Sequence, residues 1–243
     1  MTATTDAHTG SPRPWGTPDR RLSAQQAVAL TLITLLALLA AGLIGFAMAG
    51  PRPPGDDSAE AGFARDMQAH HDQAVQMAMI IRDDTSDPTI RTLAYDIALG
   101  QQQQAGQMFG WLTQWGLPQT GSRPRMAWMA SDATGAMSGM DATGTGGSPT
   151  HRATALLPDG RMPGMATQAD IAALAALKGR PAEIMWLRLM VAHHRGGVAM
   201  AQAILDRTDR PEVRALARNI VNAQLAEITQ MTRSLHARGE SAP

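Results

Sequence analysis

The chain contains itself twice. Shifted by 123 positions, residues 59–112 align with 182–235 without a gap and share 22 identities over 54 positions. The matches include Met67/Met190, His70/His193, His71/His194, Met77/Met200, Asp83/Asp206, Pro88/Pro211, Gln101/Gln224 and Met108/Met231. A duplication constrains the fold strongly. Each copy carries the same apolar face, and the simplest way to bury it is against the other copy.

Within each copy, apolar residues recur at spacings of three and four, the period of an amphipathic helix. In the first, Asp57-x-x-Glu60 reads as a capping box and the period runs to about Arg82. "DDTSDP" breaks it, Asp87 caps a second helix with Pro88 at its first position, and "WGLP" ends that helix near Gly116. The second copy predicts one helix from about Pro181 to Arg207 and another from Pro211 to about Ala237. Short breaks make antiparallel neighbours. The expected fold is all-α, a four-helix bundle of two duplicated hairpins. The first covers residues 57–116. The second, led by a short helix that opens at Thr167-x-x-Asp170, covers 167–238, and 57–238 form one domain. Residues 117–166, rich in Gly, Pro, Ser, Thr and Met, read as an irregular linker.

Ahead of the repeat lies a run of 23 uncharged residues, Ala27 to Ala49, long enough to span a bilayer. Arg13, Arg20 and Arg21 precede it, and Asp56, Asp57 and Glu60 follow. The positive-inside rule then makes 1–23 a disordered cytoplasmic tail, 24–49 a single-pass anchor in the lipid bilayer of the cell membrane, and the remainder extracytoplasmic. Ala47-Met48-Ala49 also resembles a cleavage site, but the run exceeds a usual signal core. Formal charge is zero, so no basic surplus points to nucleic acid.

The chain has seven histidines, and four stand in the two His-His pairs. On a helical projection Glu60, Met67 and His71 form one edge of the core stripe, while His70 and Met77 form the other. The second copy repeats this with Glu183, Met190, His194, His193 and Met200. Polar side chains on a core stripe are costly unless partnered. Pseudo-twofold packing of the copies would gather four imidazoles and four thioethers. With no cysteine in the chain, these are the soft donors available, and they suit copper, Cu(I) above all, with silver by the same argument. In the folded hairpins His71 comes level with Gln101 and His194 with Gln224, so these amides are expected to orient the rings. Gln104 and Glu227 fall one turn further. Glu60 and Glu183 read equally as ligands and as helix-start charges. Neutral ring nitrogens would lose metal to protons as pH falls through roughly 6.5.

The stretches "FARDMQAHHDQAVQMA", "GMATQADIAALAALKGRPAEIMWLRLMVAHHRGGVAMA" and "PEVRALARNIVNAQLAEITQM" resemble the family called domain of unknown function 305, over about residues 58–238. The resemblance implies a ferritin-like four-helix fold in an extracytoplasmic protein, with copper or silver binding and resistance in some members. It places ligands at Met67, His70, His71 and Met77, and at Met190, His193, His194 and Met200. The first copy departs from the pattern: it has Gln104 where the second has Glu227, so Glu227 joins the candidate ligands and the second half is expected to bind more strongly. The expected function is membrane-anchored copper or silver sequestration, buffering or transfer. No nucleophile–base pair or phosphate loop suggests an enzyme. Two rivals stand beside it, a metal-dependent oxidase of cuprous ion and a structural or partner-binding bundle without metal. A second copy of the chain or a copper-trafficking protein are the partners left open.

Overall fold

A computed structural model describes residues 23–48, 52–130 and 156–243, and among these all regular structure is helical. The helices are α1 (Ala24–Met48), α2 (Ala59–Asp84), α3 (Pro88–Gln114), α4 (Ala127–Ala130), α5 (Gln168–Ala176), α6 (Gly179–Leu205) and α7 (Pro211–His236). The chain divides into two compact units, Met1–Arg52 and Pro53–Pro243.

Within the first unit, α1 is long and apolar enough over Ala24–Gly45 to cross a membrane. Its polar side chains turn inward on the backbone: the Thr31 and Thr34 hydroxyls donate to the Ala27 and Leu30 carbonyls. A helix that satisfies its hydroxyls internally loses little on leaving water.

The second unit is built from two helical hairpins, α2–α3 and α6–α7, which meet chiefly through α2 against α6. Asp87 caps α3 by accepting from Thr89 and Ile90, with Pro88 in the first turn. At the start of α2 the cap is Ser58, which accepts from the Ala61 amide, rather than Asp57. Glu60 is thereby released from any capping box. Its carboxylate accepts from the Thr208 hydroxyl in the turn of the other hairpin, 2.7 Å away. Glu183 does the reciprocal thing, accepting from Thr85 at 2.6 Å and from Arg238. Thr85 and Thr208 are equivalent positions of the duplication, so two symmetry-related bonds staple the hairpins together. The hydrogen bonds of Glu60 and Glu183 thus run to the turns and to the C-terminal end of the second hairpin, not to the histidines.

Two apolar clusters fill the interior. Residues 61–67 of α2 join 200–204 of α6 in one; residues 74–81 of α2 join 182–191 of α6 in the other. In both helices the histidines fall between the clusters. The segment expected to be linker contributes to this interior. Met126, Trp128, Met129 and Met162 are buried in the first cluster, with Trp128 edge-on to Phe63 at 5.8 Å. Asp66 holds Trp128 by accepting from the Met126 amide and from Trp128 Nε1. Met137, Met140, His8 and His151 lie outside the described residues, and His236 is exposed.

One close approach depends on a helical glycine. A Cβ on Gly196 would run into the Pro163 carbonyl oxygen, whereas a Cβ on Gly106 of α3 would meet nothing. Gly196→Ala is expected to destabilise by about 1–3 kcal/mol through overpacking against backbone. Gly106→Ala should stabilise by roughly 0.5–1 kcal/mol through helix propensity. Thermal melts of the two variants check the sign of each effect.

Candidate metal centre

The antiparallel crossing of α2 and α6 brings the four histidines of the two pairs together. All four have no solvent exposure. His70 and His193, equivalent in the two copies, lie ring against ring with centroids 3.8 Å apart and planes tilted by 34°. His193 and His194 are 6.3 Å apart by the same measure.

The outer two rings are oriented from the partner helix of their own hairpin. His71 Nε2 meets Gln104 Oε1 at 2.8 Å, and His194 Nε2 meets Glu227 Oε2 at 2.7 Å. Both oxygens can only accept, so Nε2 carries the hydrogen in each ring. In the neutral tautomer this leaves Nδ1 with its lone pair, and both Nδ1 atoms are buried without a partner. The second copy thus has a carboxylate where the first has a neutral amide.

These pairings correct the expected register. Gln101 and Gln224 orient no ring; their amides are buried with neither atom bonded. The reason is the lean of helical side chains toward their own N-terminus. On antiparallel helices the leans oppose one another. His71 tilts away from the hairpin turn and Gln104 tilts toward it, so two residues one turn apart in backbone level meet at their tips.

Ten buried polar atoms in this layer have no hydrogen-bond partner: both nitrogens of His70 and His193, Nδ1 of His71 and His194, and both amide atoms of Gln101 and Gln224. Buried polar atoms are ordinarily satisfied, so a concentration of orphans marks a place for a polar or ionic occupant. The donor chemistry, imidazole nitrogen with thioether nearby, fits a soft ion. The geometry restricts the fit. Among the described residues no three His, Asp or Glu side chains stand close enough together to hold a metal ion. The methionines do not form one ring around the histidines either. Met67 and Met200 lie buried in one apolar cluster, Met77 and Met190 in the other. A cavity of about 340 Å³ near Arg65, Asp72 and Trp128 is lined by none of the four histidines.

Burial sets the protonation state. It pushes His70 down to about 3, aided by the neighbouring His71 charge; the Pro163 carbonyl, near the ring without a well-formed hydrogen bond, acts the other way. Burial pushes His71 down to about 4, against the bond it donates to Gln104 Oε1. His193 is held well below its ordinary value, first by burial and then by the charges of His70, His194 and His71. Protonation of these three rings is therefore displaced below the roughly 6.5 of a free imidazole.

Sequence reasoning passed over Gln73, Gly196 and Gly197. Gln73 is buried and clasps the Ala166 backbone, donating to its carbonyl at 3.0 Å and accepting from its amide at 2.7 Å. Gly197 leaves room for the Gln224 amide, which a Cβ there would strike. The readable signal was the Gly-Gly pair inside a helix, aligned with Gln73-Ala74 of the other copy.

Between the unfolded value near 6.5 and about 4, unfolded histidines bind protons that the folded chain excludes. More protons bound in the unfolded state means stability rises with pH and is lost as pH falls through that window. His70, His71 and His193 should each add up to about 1.4 kcal/mol per pH unit. Denaturant titrations from pH 7 to 4 should show that slope, and the triple His→Gln variant should lose it. An unchanged slope in the variant would assign the effect to carboxylates instead.

No curated protein sequence matches the chain. Solved structures do. A DUF305 protein of Streptomyces coelicolor, described as secreted, is 42% identical with a TM-score of 0.64, over 78% of this chain and 99% of its own. A DUF305 fragment of Deinococcus radiodurans is 34% identical with a TM-score of 0.53, over 74% and 95%. The fold is shared at 23% identity with CopM in its Cu(I)-bound form, TM-score 0.51, over 74% of this chain and 96% of that one. The family model named domain of unknown function (DUF305) matches residues 60–235, well over half of the sequence, and the chain therefore belongs to the DUF305 family.

Proposed function

We propose that this protein binds copper, or silver by the same softness, at the layer of four buried histidines, and that it buffers, sequesters or passes on the ion outside the cytoplasm while anchored by α1. The observation that carries this reading is the concentration of orphaned imidazole nitrogens between α2 and α6. CopM, which shares the fold, is known in a Cu(I)-bound form. The arginines before α1 and the acidic residues after it support this orientation.

The residues proposed as ligands are His70, His71, His193 and His194, with Met67, Met77, Met190 and Met200 as soft donors above and below. Glu227 is reassigned from ligand to orienting group, because its carboxylate is engaged by His194 Nε2. Since among the described residues no three imidazoles or carboxylates converge, the reading requires an ion content with few ligands or one completed by thioether sulfur. Cu(I) and Ag(I) meet that requirement.

One observation favours a second reading, a structural histidine core without metal. The face-to-face contact of His70 with His193 is itself a packing arrangement. The two readings part on melting. With Cu(I) at a hundredfold excess over its dissociation constant, a native-state site should add roughly 2.7 kcal/mol of stability. The His70/His71/His193/His194→Gln variant should show no such gain. An equal gain in that variant would move binding elsewhere. No gain in the natural protein would leave the structural reading standing.

The halves should also differ. Outer groups that orient a metal-binding histidine typically contribute about 10–100-fold in affinity. Glu227→Gln is expected to cost in that range and Gln104→Leu less, measured by competition with a Cu(I) chelator. Equal losses would mean that the carboxylate confers no advantage.

A further inference from the structure

The four imidazoles have no solvent exposure, so an ion reaches them only if something opens. Most of the cover is helix. Among the described residues one covering segment is not helix, the strap Arg161–Ala166. Its Pro163 carbonyl faces the His70 ring. Gly164 holds φ at +82°, and a Cβ there would press on the Ala192 carbonyl and on His193 Cα. Gly196, one turn on in α6, seats Pro163. The strap thus lies on the turn of α6 that carries His193 and reaches across to His70.

Gln73 holds Ala166 by two hydrogen bonds, and the Arg161 guanidinium donates to the Met165 carbonyl. Gln73 and Gly196 are equivalent positions of the duplication, one serving as latch and the other as seat. The strap also carries soft donors in graded burial. Met165 is half-buried and packs against the cluster in which Met162, Met67 and Met200 are buried.

We propose that the Arg161–Ala166 strap is the port through which a soft monovalent ion reaches the histidines, with Met165 as the outer thioether, Met162 as the inner one and Gln73 as the latch. The proposal rests on the reading of the histidine layer as a soft-ion site. The ion is handed from sulfur to sulfur as ligands exchange, with no change of oxidation state. Gln73 acts on the barrier and touches no ion.

The test uses the full chain in detergent and Ag(I), mixed rapidly and followed by tryptophan fluorescence. A gated port gives an uptake rate that saturates with Ag(I). Gln73→Ala should raise the saturated rate about tenfold, the effect of one to two lost hydrogen bonds, with equilibrium affinity unchanged within about twofold. Gln73→Glu, which keeps the acceptor for the Ala166 amide but sets a carboxylate against its carbonyl, should act in the same direction. Met165→Leu should slow uptake at low Ag(I). In the natural protein, hydrogen exchange at Met162–Ala166 should be faster than at the centres of α2 and α6. Unchanged uptake rates in both Gln73 variants would overturn the port alone, as would strap amides as protected as the helices. Absence of Ag(I) uptake by the natural protein, or undiminished uptake by the quadruple His→Gln variant, would overturn the site and the port with it.

Discussion

His70 and His193 lie ring against ring, fully buried, where the two copies cross, and the rest of the domain has to accommodate that polar contact in its interior. Placing an unpartnered polar group in an apolar interior costs on the order of 1–3 kcal/mol. Here both nitrogens of two rings are in that state, and two glutamines add their amides. The fold contains this layer between two apolar clusters that supply the compensating burial. Remote bonds hold the crossing in register. Glu60–Thr208 and Glu183–Thr85 tie the start of each copy's first helix to the turn of the other copy. Sliding α2 along α6 by one turn would separate the rings and break both bonds together.

The duplication supplies symmetry, and the chemistry comes from where it fails. Gln104 and Glu227 occupy equivalent positions and hold equivalent histidines, yet only one brings charge. Gln73 and Gly196 are equivalent, yet one grips the Arg161–Ala166 strap and the other makes room for it. A symmetric ancestor of the site would have had two like halves. This chain has an oriented one, with a carboxylate at one end of the histidine layer and a strap over the His70–His193 pair.

The helical fold and the gathering of the histidines were legible because they rest on local period and on exact repetition. Asp87 and Pro88, the Thr167–Asp170 box and the apolar stripes are all encoded within a few residues of where they act. The errors have one physical source. A helical projection locates Cα atoms, while contacts are made by side-chain tips. Gln101 was therefore assigned the bond that Gln104 makes. The same limit applies to Glu60: its neighbours in sequence suggested a capping box, and its actual partner is Thr208, 148 residues away. Met126, Trp128 and Met162 gave no signal of burial, because they sit in segments without period. Asp66 holds Met126 and Trp128, and Gln73 holds Ala166 four residues after Met162; both are polar residues on a core helix whose partners lie far along the chain.

Charge balance narrows what the layer can accept. His70, His71 and His193 are held neutral by burial, and the glutamines are neutral by nature. The Glu227 carboxylate stands behind His194, 2.7 Å from its Nε2, and its side chain keeps partial contact with water. A monovalent ion beside it makes a neutral pair within a desolvated layer. A divalent ion would leave one charge uncompensated, and an unpaired buried charge costs several kcal/mol after relaxation. On the proposed reading, electrostatics and donor chemistry act in one direction: four buried imidazoles with no solvent exposure are soft, neutral donors, and they suit a soft monovalent ion better than a divalent one.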